Sequence, residues 1–323
     1  MLNKTMTKLA ALAFATTAAL ASANAFAKDN IMLAYADPED SVFGKAAIAF
    51  ADKLAEVSGG EMTVTPFPNG TLGAISEIPA MLQQGACDAT LIVTSSLVDL
   101  CPEMGVFDLP FLFADYDDAY KVVYGEAGNY LKGKLAEQNM VISDWLTMGF
   151  REVTSNKPIN SLADFKGIKI RTQSNEVHQD IFSALGASPT IISFSELYTA
   201  LEQGTVDAQE NPYVNIYNNT YFDVQKYLIE TNHVFQVSAL VFSKATMDEF
   251  TEQQKQWIAE ASKYASDVEW QVTKEDNEKA RQGAIDKGMT FVKLDHQQLL
   301  DATKSVYDQY RGNFGELLKL MGK

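Results

Sequence analysis

One fourteen-residue pattern occurs twice in this chain, and no other feature restricts the fold as much. Ser76-Glu77-Ile78-Pro79-Ala80-Met81-Leu82-Gln83-Gln84-Gly85-Ala86-Cys87-Asp88-Ala89 aligns with Ser195-Glu196-Leu197-Tyr198-Thr199-Ala200-Leu201-Glu202-Gln203-Gly204-Thr205-Val206-Asp207-Ala208, with identical residues at seven of the fourteen positions. Each copy reads as a helix stopped by glycine, Gly85 or Gly204, which takes up the left-handed C′ conformation without a Cβ clash. A strand follows each stop. In the second copy Ser193 and Glu196 have the spacing of a capping box. The two copies start 119 residues apart, which predicts two α/β lobes built on one plan.

The flanking sequence supports that plan. Residues 31–34 form a short apolar run that predicts a buried strand. Phe43, Ala47, Phe50, Leu54 and Val57 then recur at helical spacing up to Gly59-Gly60. Residues 62–67 alternate like a strand and end in the turn cluster Pro66-Phe67-Pro68-Asn69-Gly70. Strand, helix and strand in this order imply a parallel unit with a right-handed crossover. Pro110 breaks the apolar segment 108–113; helices are predicted around 116–124 and 130–138, and a strand over 141–145. Residues 251–287 contain no proline and one glycine, Gly283. Thr251 and Gln254 give a capping box there, and Trp257, Ala261, Tyr264, Ala265, Val268 and Val272 an apolar stripe. At 1.5 Å per residue, such a helix runs about 55 Å, long enough to brace two lobes.

Charge and leader narrow the setting. The chain carries 26 basic and 42 acidic residues, a formal charge of −16, spread along its length. That balance argues against nucleic acid, which needs a basic footprint, and against adhesion to anionic lipid. With 46% hydrophobic and 21% charged residues, it is globular rather than disordered. Residues 1–27 read as a secretory signal: Lys4 and Lys8, an uncharged apolar run over 9–21, then Ala25-Phe26-Ala27. The run is shorter than the roughly 20 residues of a membrane span. No later segment is apolar enough to span, so direct membrane insertion is not expected. Cleavage near Ala27 leaves a mature chain from Lys28, placed in the periplasm or outside the cell. Cys87 and Cys101 have thirteen residues between them, and either a bridge or two free thiols is open in that compartment. Their spacing fits neither a redox pair nor a metal site, and no cofactor motif is present.

Catalytic signatures are missing: there is no Gly-x-Ser-x-Gly elbow, no His-Glu-x-x-His and no phosphate loop. His178 and His233 have no nucleophile or metal set beside them and read as structural. The informative residues are arginines. Only four occur, Arg151, Arg171, Arg281 and Arg311, against a majority of lysines. Arg171 ends the short strand 167–171, and ligands of open α/β sheets bind beyond the carboxyl ends of strands. Its guanidinium can bond both oxygens of a carboxylate, which lysine cannot. Arg151 follows Gly149-Phe150 and is read as lying just after the strand 141–145. Asn211 precedes Pro212 and is therefore held extended at a strand end. Phe194 stands before the second repeated helix, either under a ligand or in the core.

These residues resemble a known family. The stretches 67–73, 102–113, 149–151 with 158–159, 164–171, 194–198 and 207–212 are similar, in order, to DctP-type substrate-binding proteins of tripartite ATP-independent periplasmic (TRAP) transporters. The stretches 224–228 and 231–233 extend the match. The resemblance implies a two-lobed Venus-flytrap α/β fold with a long helix crossing both lobes. Lobe one is then 28–148 plus about 237–276, and lobe two 149–236 plus about 277–323. It implies a carrier, not an enzyme, that binds a small organic acid and passes it to an ion-gradient-driven TRAP permease. The carboxylate-binding arginine of the family falls on Arg171, its second arginine on Arg151, and its cleft asparagine and aromatic on Asn211 and Phe194. Sialic-acid-binding members add an acid and an arginine from lobe one; residues 91–96 have neither, which argues against sialic acid. Tyr35, Asp37, Thr94, Ser95, Gln173 and Ser174 occupy loop positions able to face the cleft, and most are neutral hydrogen-bonders. Such a cleft suits a uronic or aldonic acid best, a dicarboxylate or keto acid next. A secreted enzyme acting on an acidic metabolite and a ligand-sensing subunit remain open alternatives. A monomer is expected.

Overall fold

The computed structural model describes residues 28–323; the expected leader and its cleavage point lie outside the described residues. Ten strands form one branched sheet: β1 (Asn30–Ala34), β2 (Thr63–Phe67), β3 (Ala89–Val93), β4 (Met140–Ser155), β5 (Lys169–Thr172), β6 (Ser188–Ile191), β7 (Ala208–Pro212), β8 (Tyr227–Glu230), β9 (Phe235–Ser243) and β10 (Thr290–Lys293). The strand order is β2-β1-β3-β9-β4-β7-β5-β6, with β8 pairing β4 and β10 pairing β8.

The first predicted unit forms as read. Ser41 caps the helix Val42–Val57 by accepting from the Gly44 N–H at 3.1 Å, and the helix buries Phe43, Ala47, Phe50 and Leu54. Strands β1 and β2, which it joins, pair in parallel, Asn30 opposite Thr63 through Ala34 opposite Phe67. The repeated pattern also yields equivalent structure. The helices Ile78–Gln83 and Leu197–Glu202 are followed by Gly85 at φ 70° and Gly204 at φ 68°, and then by β3 and β7. Each of these strands has a parallel partner, β1 or β5, on one side and an antiparallel partner, β9 or β4, on the other. The Ser193 hydroxyl reaches the Glu196 carboxylate at 2.6 Å, but neither caps backbone, because a 3₁₀ turn, Phe194–Glu196, intervenes before the helix.

The strand expected over 141–145 is only the first third of β4, which runs sixteen residues, so Arg151 lies within a strand rather than after one. Two register breaks, Ile142/Asp144 and Thr147/Gly149, interrupt its pairing with β9. A bulge leaves backbone groups off the ladder, and each then needs another partner. The long helix supplies partners at the second break and along the neighbouring stretch of β4. It spans Glu252–Asp286, and Thr251 and Gln254 form its capping box. The Ser266 hydroxyl donates to the Trp145 carbonyl at 2.6 Å and the Asn277 amide to the Met148 carbonyl at 3.0 Å. Glu269 accepts from the Thr147 N–H at 3.1 Å. Of the expected apolar stripe Ala261 and Ala265 are buried and Trp257 packs on the core, but Tyr264 is 48% exposed, and Ser262, Ser266, Glu269, Thr273 and Asn277 are buried instead. A polar buried face is invisible to hydrophobic periodicity. The helix packs against both Val42–Val57 and Tyr213–Asn218, so it braces both halves of a two-lobed fold.

Cys87 and Cys101 are both free thiols and buried. Burial pushes them up to about 11 and about 12 respectively, which suppresses the reactive thiolate.

Candidate functional site

A cavity of about 470 Å³ opens where the carboxyl ends of β1, β3, β5, β6 and β7 converge. Its size is in the range of small-molecule sites. One wall comes from the first half of the chain: Asp37 after β1, the 75–80 segment, and Ser95, Ser96 and Asp99 after β3. The facing wall carries Arg151, Arg171, Gln173, Ser174, the 191–194 segment, Asn211 and Asn215. Eight of the ten residues singled out from sequence thus line the cavity: Arg171, Arg151, Asn211, Phe194, Asp37, Ser95, Gln173 and Ser174. Tyr35 and Thr94 do not. Tyr35 shares the pleat face of Ile31 and Leu33 and packs with them in the core. Thr94 is buried and donates its hydroxyl to the Val237 carbonyl at 3.1 Å.

The two arginines differ sharply. The Arg171 Nε donates to the Ile192 carbonyl at 2.8 Å, which fixes the plane of the guanidinium. Neither terminal nitrogen has a hydrogen-bond partner among the described residues, and no carboxylate is within ion-pair distance. Burial pushes Arg171 down to about 10, the mark of a charge stripped of water without a counter-ion in contact. Arg151 is paired within the fold instead. It makes a two-pronged pair with Glu210, through Nε to one oxygen and Nη2 to the other at 2.9 Å. It also donates to the Glu210 carbonyl at 2.6 Å and to Gln236 at 2.6 Å.

Glu210 is the centre of a buried network that the sequence did not reveal. His233 Nε2 lies 3.1 Å and His178 Nδ1 3.4 Å from its carboxylate. Burial opposes its charge, yet Arg151 and then His178 hold its carboxyl well below the ordinary range. Burial also disfavours a charged His178, but Glu210 and Asp108 hold its imidazole above the usual value. Burial keeps His233 below it, despite Glu210. Asp108 accepts from Asn175 at 2.7 Å and lies 3.1 Å from His178, which links the segment after β3 to the helix Glu176–Ala184. The amide of Asn211 is also engaged, donating to Gln209 at 2.6 Å.

On the opposite wall, burial raises Asp37 to about 6, against the pull of the Asn215 amide, which donates to its Oδ1 at 2.9 Å. Asn215 was missed in the sequence because nothing distinguishes it from its neighbours in Tyr213–Asn218, a helix whose residues are mostly polar or aromatic. Among the described residues no cluster of His, Cys, Asp and Glu has the geometry to hold a metal, and no helix is long and apolar enough to cross a membrane.

A family model described as bacterial extracellular solute-binding protein, family 7 (DctP) matches residues 33–313. The 2,3-diketo-L-gulonate-binding periplasmic protein of Escherichia coli strain K12 is 31% identical over 283 residues, 87% of this chain and 86% of its own. A TRAP periplasmic solute-binding protein from Polaromonas sp. JS666, bound to D-erythronate, superposes with a TM-score of 0.88 at 31% identity, covering 91% of this chain and 98% of that one. One from Sulfurospirillum deleyianum, with bound succinate, gives a TM-score of 0.86 at 31% identity, covering 92% and 99%.

Proposed function

The chain belongs to bacterial extracellular solute-binding protein family 7, and on that premise we propose that it captures a sugar acid of the uronic or aldonic kind and delivers it to a TRAP permease. The family is one of substrate-binding transport proteins, not of enzymes, and its relatives bind small carboxylates. The observation that carries the reading is Arg171. A buried guanidinium with both terminal nitrogens unclaimed, at the bottom of a cavity at strand ends, is half of a bidentate ion pair that lacks its carboxylate. Around it stand neutral hydrogen-bonders, Ser95, Ser96, Gln173 and Ser174, suited to hydroxyl groups. A dicarboxylate or a keto acid in the same role is the second reading, favoured by the succinate-bound and diketogulonate-binding relatives.

In this reading a leader over residues 1–27 directs the chain to the periplasm, where it acts as a monomer. Lobe one, 28–148 with about 237–276, and lobe two, 149–236 with about 277–323, close on the ligand by bending where β4 passes from one to the other. Gly149 sits at that passage with φ 86°, and a Cβ there would lie 2.2 Å from the Tyr116 hydroxyl. The test is a thermal-shift screen of sugar acids, dicarboxylates and keto acids on the mature protein and on Arg171→Ala. The variant is expected to melt like the wild type alone and to show no ligand-induced stabilisation. Undiminished stabilisation removes Arg171 as the anchor.

A further inference from the structure

The cavity is electrically lopsided. Arg171 stands on one wall, and Asp37 and Asp99 on the other. Asp37 and Asn215 face each other across the two walls, and both are short of donors. One Asp37 oxygen accepts from the Asn215 amide at 2.9 Å, and the other has no hydrogen-bond partner among the described residues. Asn215 Oδ1 is buried and unpartnered as well. A desolvated acceptor without a donor is costly, and native structures rarely leave one unfilled. Here Asn215 Oδ1 is such an acceptor, and the second Asp37 oxygen, open to the same ligand-sized space, lies beside it without a donor.

Resting on the carrier reading above, we propose that Asp37 and Asn215 form a hydroxyl-reading subsite that selects hydroxylated monocarboxylates over dicarboxylates. With the ligand carboxylate on Arg171, a group that reaches Asp37 and Asn215 meets an unpaired acceptor on each. A hydroxyl supplies the missing proton and bridges the two walls. A second carboxylate has no proton to give, and its charge is set against Asp37 and Asp99. Rejection is therefore built from an unpaired acceptor and a like charge, the kind of element that discriminates more strongly than shape alone.

Three four-carbon acids that differ only beyond the carboxylate test this: D-erythronate, succinate and 4-aminobutyrate, titrated calorimetrically into wild type, Asp37→Asn, Asn215→Ala and Arg171→Ala. Wild type is expected to prefer erythronate over succinate at least tenfold. Asp37→Asn, which keeps shape and removes charge, is expected to narrow that ratio at least tenfold by weakening erythronate and strengthening succinate. Asn215→Ala is expected to weaken erythronate more than succinate. A ratio unchanged in both folded variants overturns the subsite, as does tighter binding of 4-aminobutyrate than of erythronate, which would mark an ammonium site. Arg171→Ala should lose all three acids. If it binds erythronate normally, the anchor assignment fails while the Asp37 comparison still reads out. Wild type that binds none of the three overturns both.

Discussion

Arg151 and Arg171 stand twenty positions apart, face one cavity and are equally buried at 3% exposure, yet they are electrostatic opposites. Arg151 has its counter-charge inside the protein, in Glu210, and spends its donors on that pair, on Gln236 and on a backbone carbonyl. Arg171 has one backbone contact and two idle nitrogens. The lesson is that burial of a cation does not say what it is for. A cation paired within the fold has its charge answered there, and one desolvated without a partner still has its donors free.

The comparison is broken most forcefully by deleting each arginine in turn. Arg151→Ala leaves Glu210 buried beside two histidines with no full counter-charge, and a loss of about 3–5 kcal/mol in denaturant unfolding is expected. Arg171→Ala removes an uncompensated buried charge, so the ligand-free protein should be no less stable than wild type. A loss comparable to that of Arg151→Ala would make the two arginines alike and refute the distinction. For ligand the order reverses: Arg171→Ala should cost about 2–5 kcal/mol of binding free energy, since it strips the carboxylate of its partner. Arg171→Lys should restore only part of it, because an ammonium lacks the planar fork.

Replacing the whole pair sharpens the point. Arg151→Met with Glu210→Leu leaves no orphan charge, and the double variant should be more stable than Arg151→Ala alone. Less stability than the single variant would show that Arg151 is held by something other than Glu210. The smallest effect is in pH. Glu210 is held well below its usual value, so its contribution is fully present above the unfolded glutamate value of about 4.3 and is lost as pH falls through the folded value. An acid melt of wild type should steepen below about pH 4, and less so in the double variant. Arg171 has no part in that window; its burial cost is relieved only as pH rises through about 10.

How much was legible in sequence follows the same division. The repeated helix, glycine and strand were readable because glycine at a left-handed stop is a backbone requirement, and strand placement then pointed to Arg171. The length of β4 was not, because bulges at residues 143 and 148 break the alternation that marks a strand. Nor was the buried face of the long helix, whose serines and asparagine are inside for the backbone of β4. Asp37, Ser95 and Gln173 were legible as loop positions, but Tyr35 and Thr94 were not separable from them. They lie past the ends of β1 and β3, Thr94 and Ser95 in a 3₁₀ turn, where no strand alternation assigns a side chain to cavity or core. Glu210 and Gln236 came together from distant strands, with no local sign of their shared task.

The state of the two cysteines has a practical side. Both are sealed in the core, and burial holds both thiols largely protonated at neutral pH. Alkylating dyes need a thiolate they can reach, so the native protein should be almost silent to them. A single cysteine added to each rim of the cavity would then carry a fluorophore or spin label against a dark background. The natural sequence is in that sense already prepared for measuring, in solution, whether adding a carboxylate changes the distance between the two walls of the cavity.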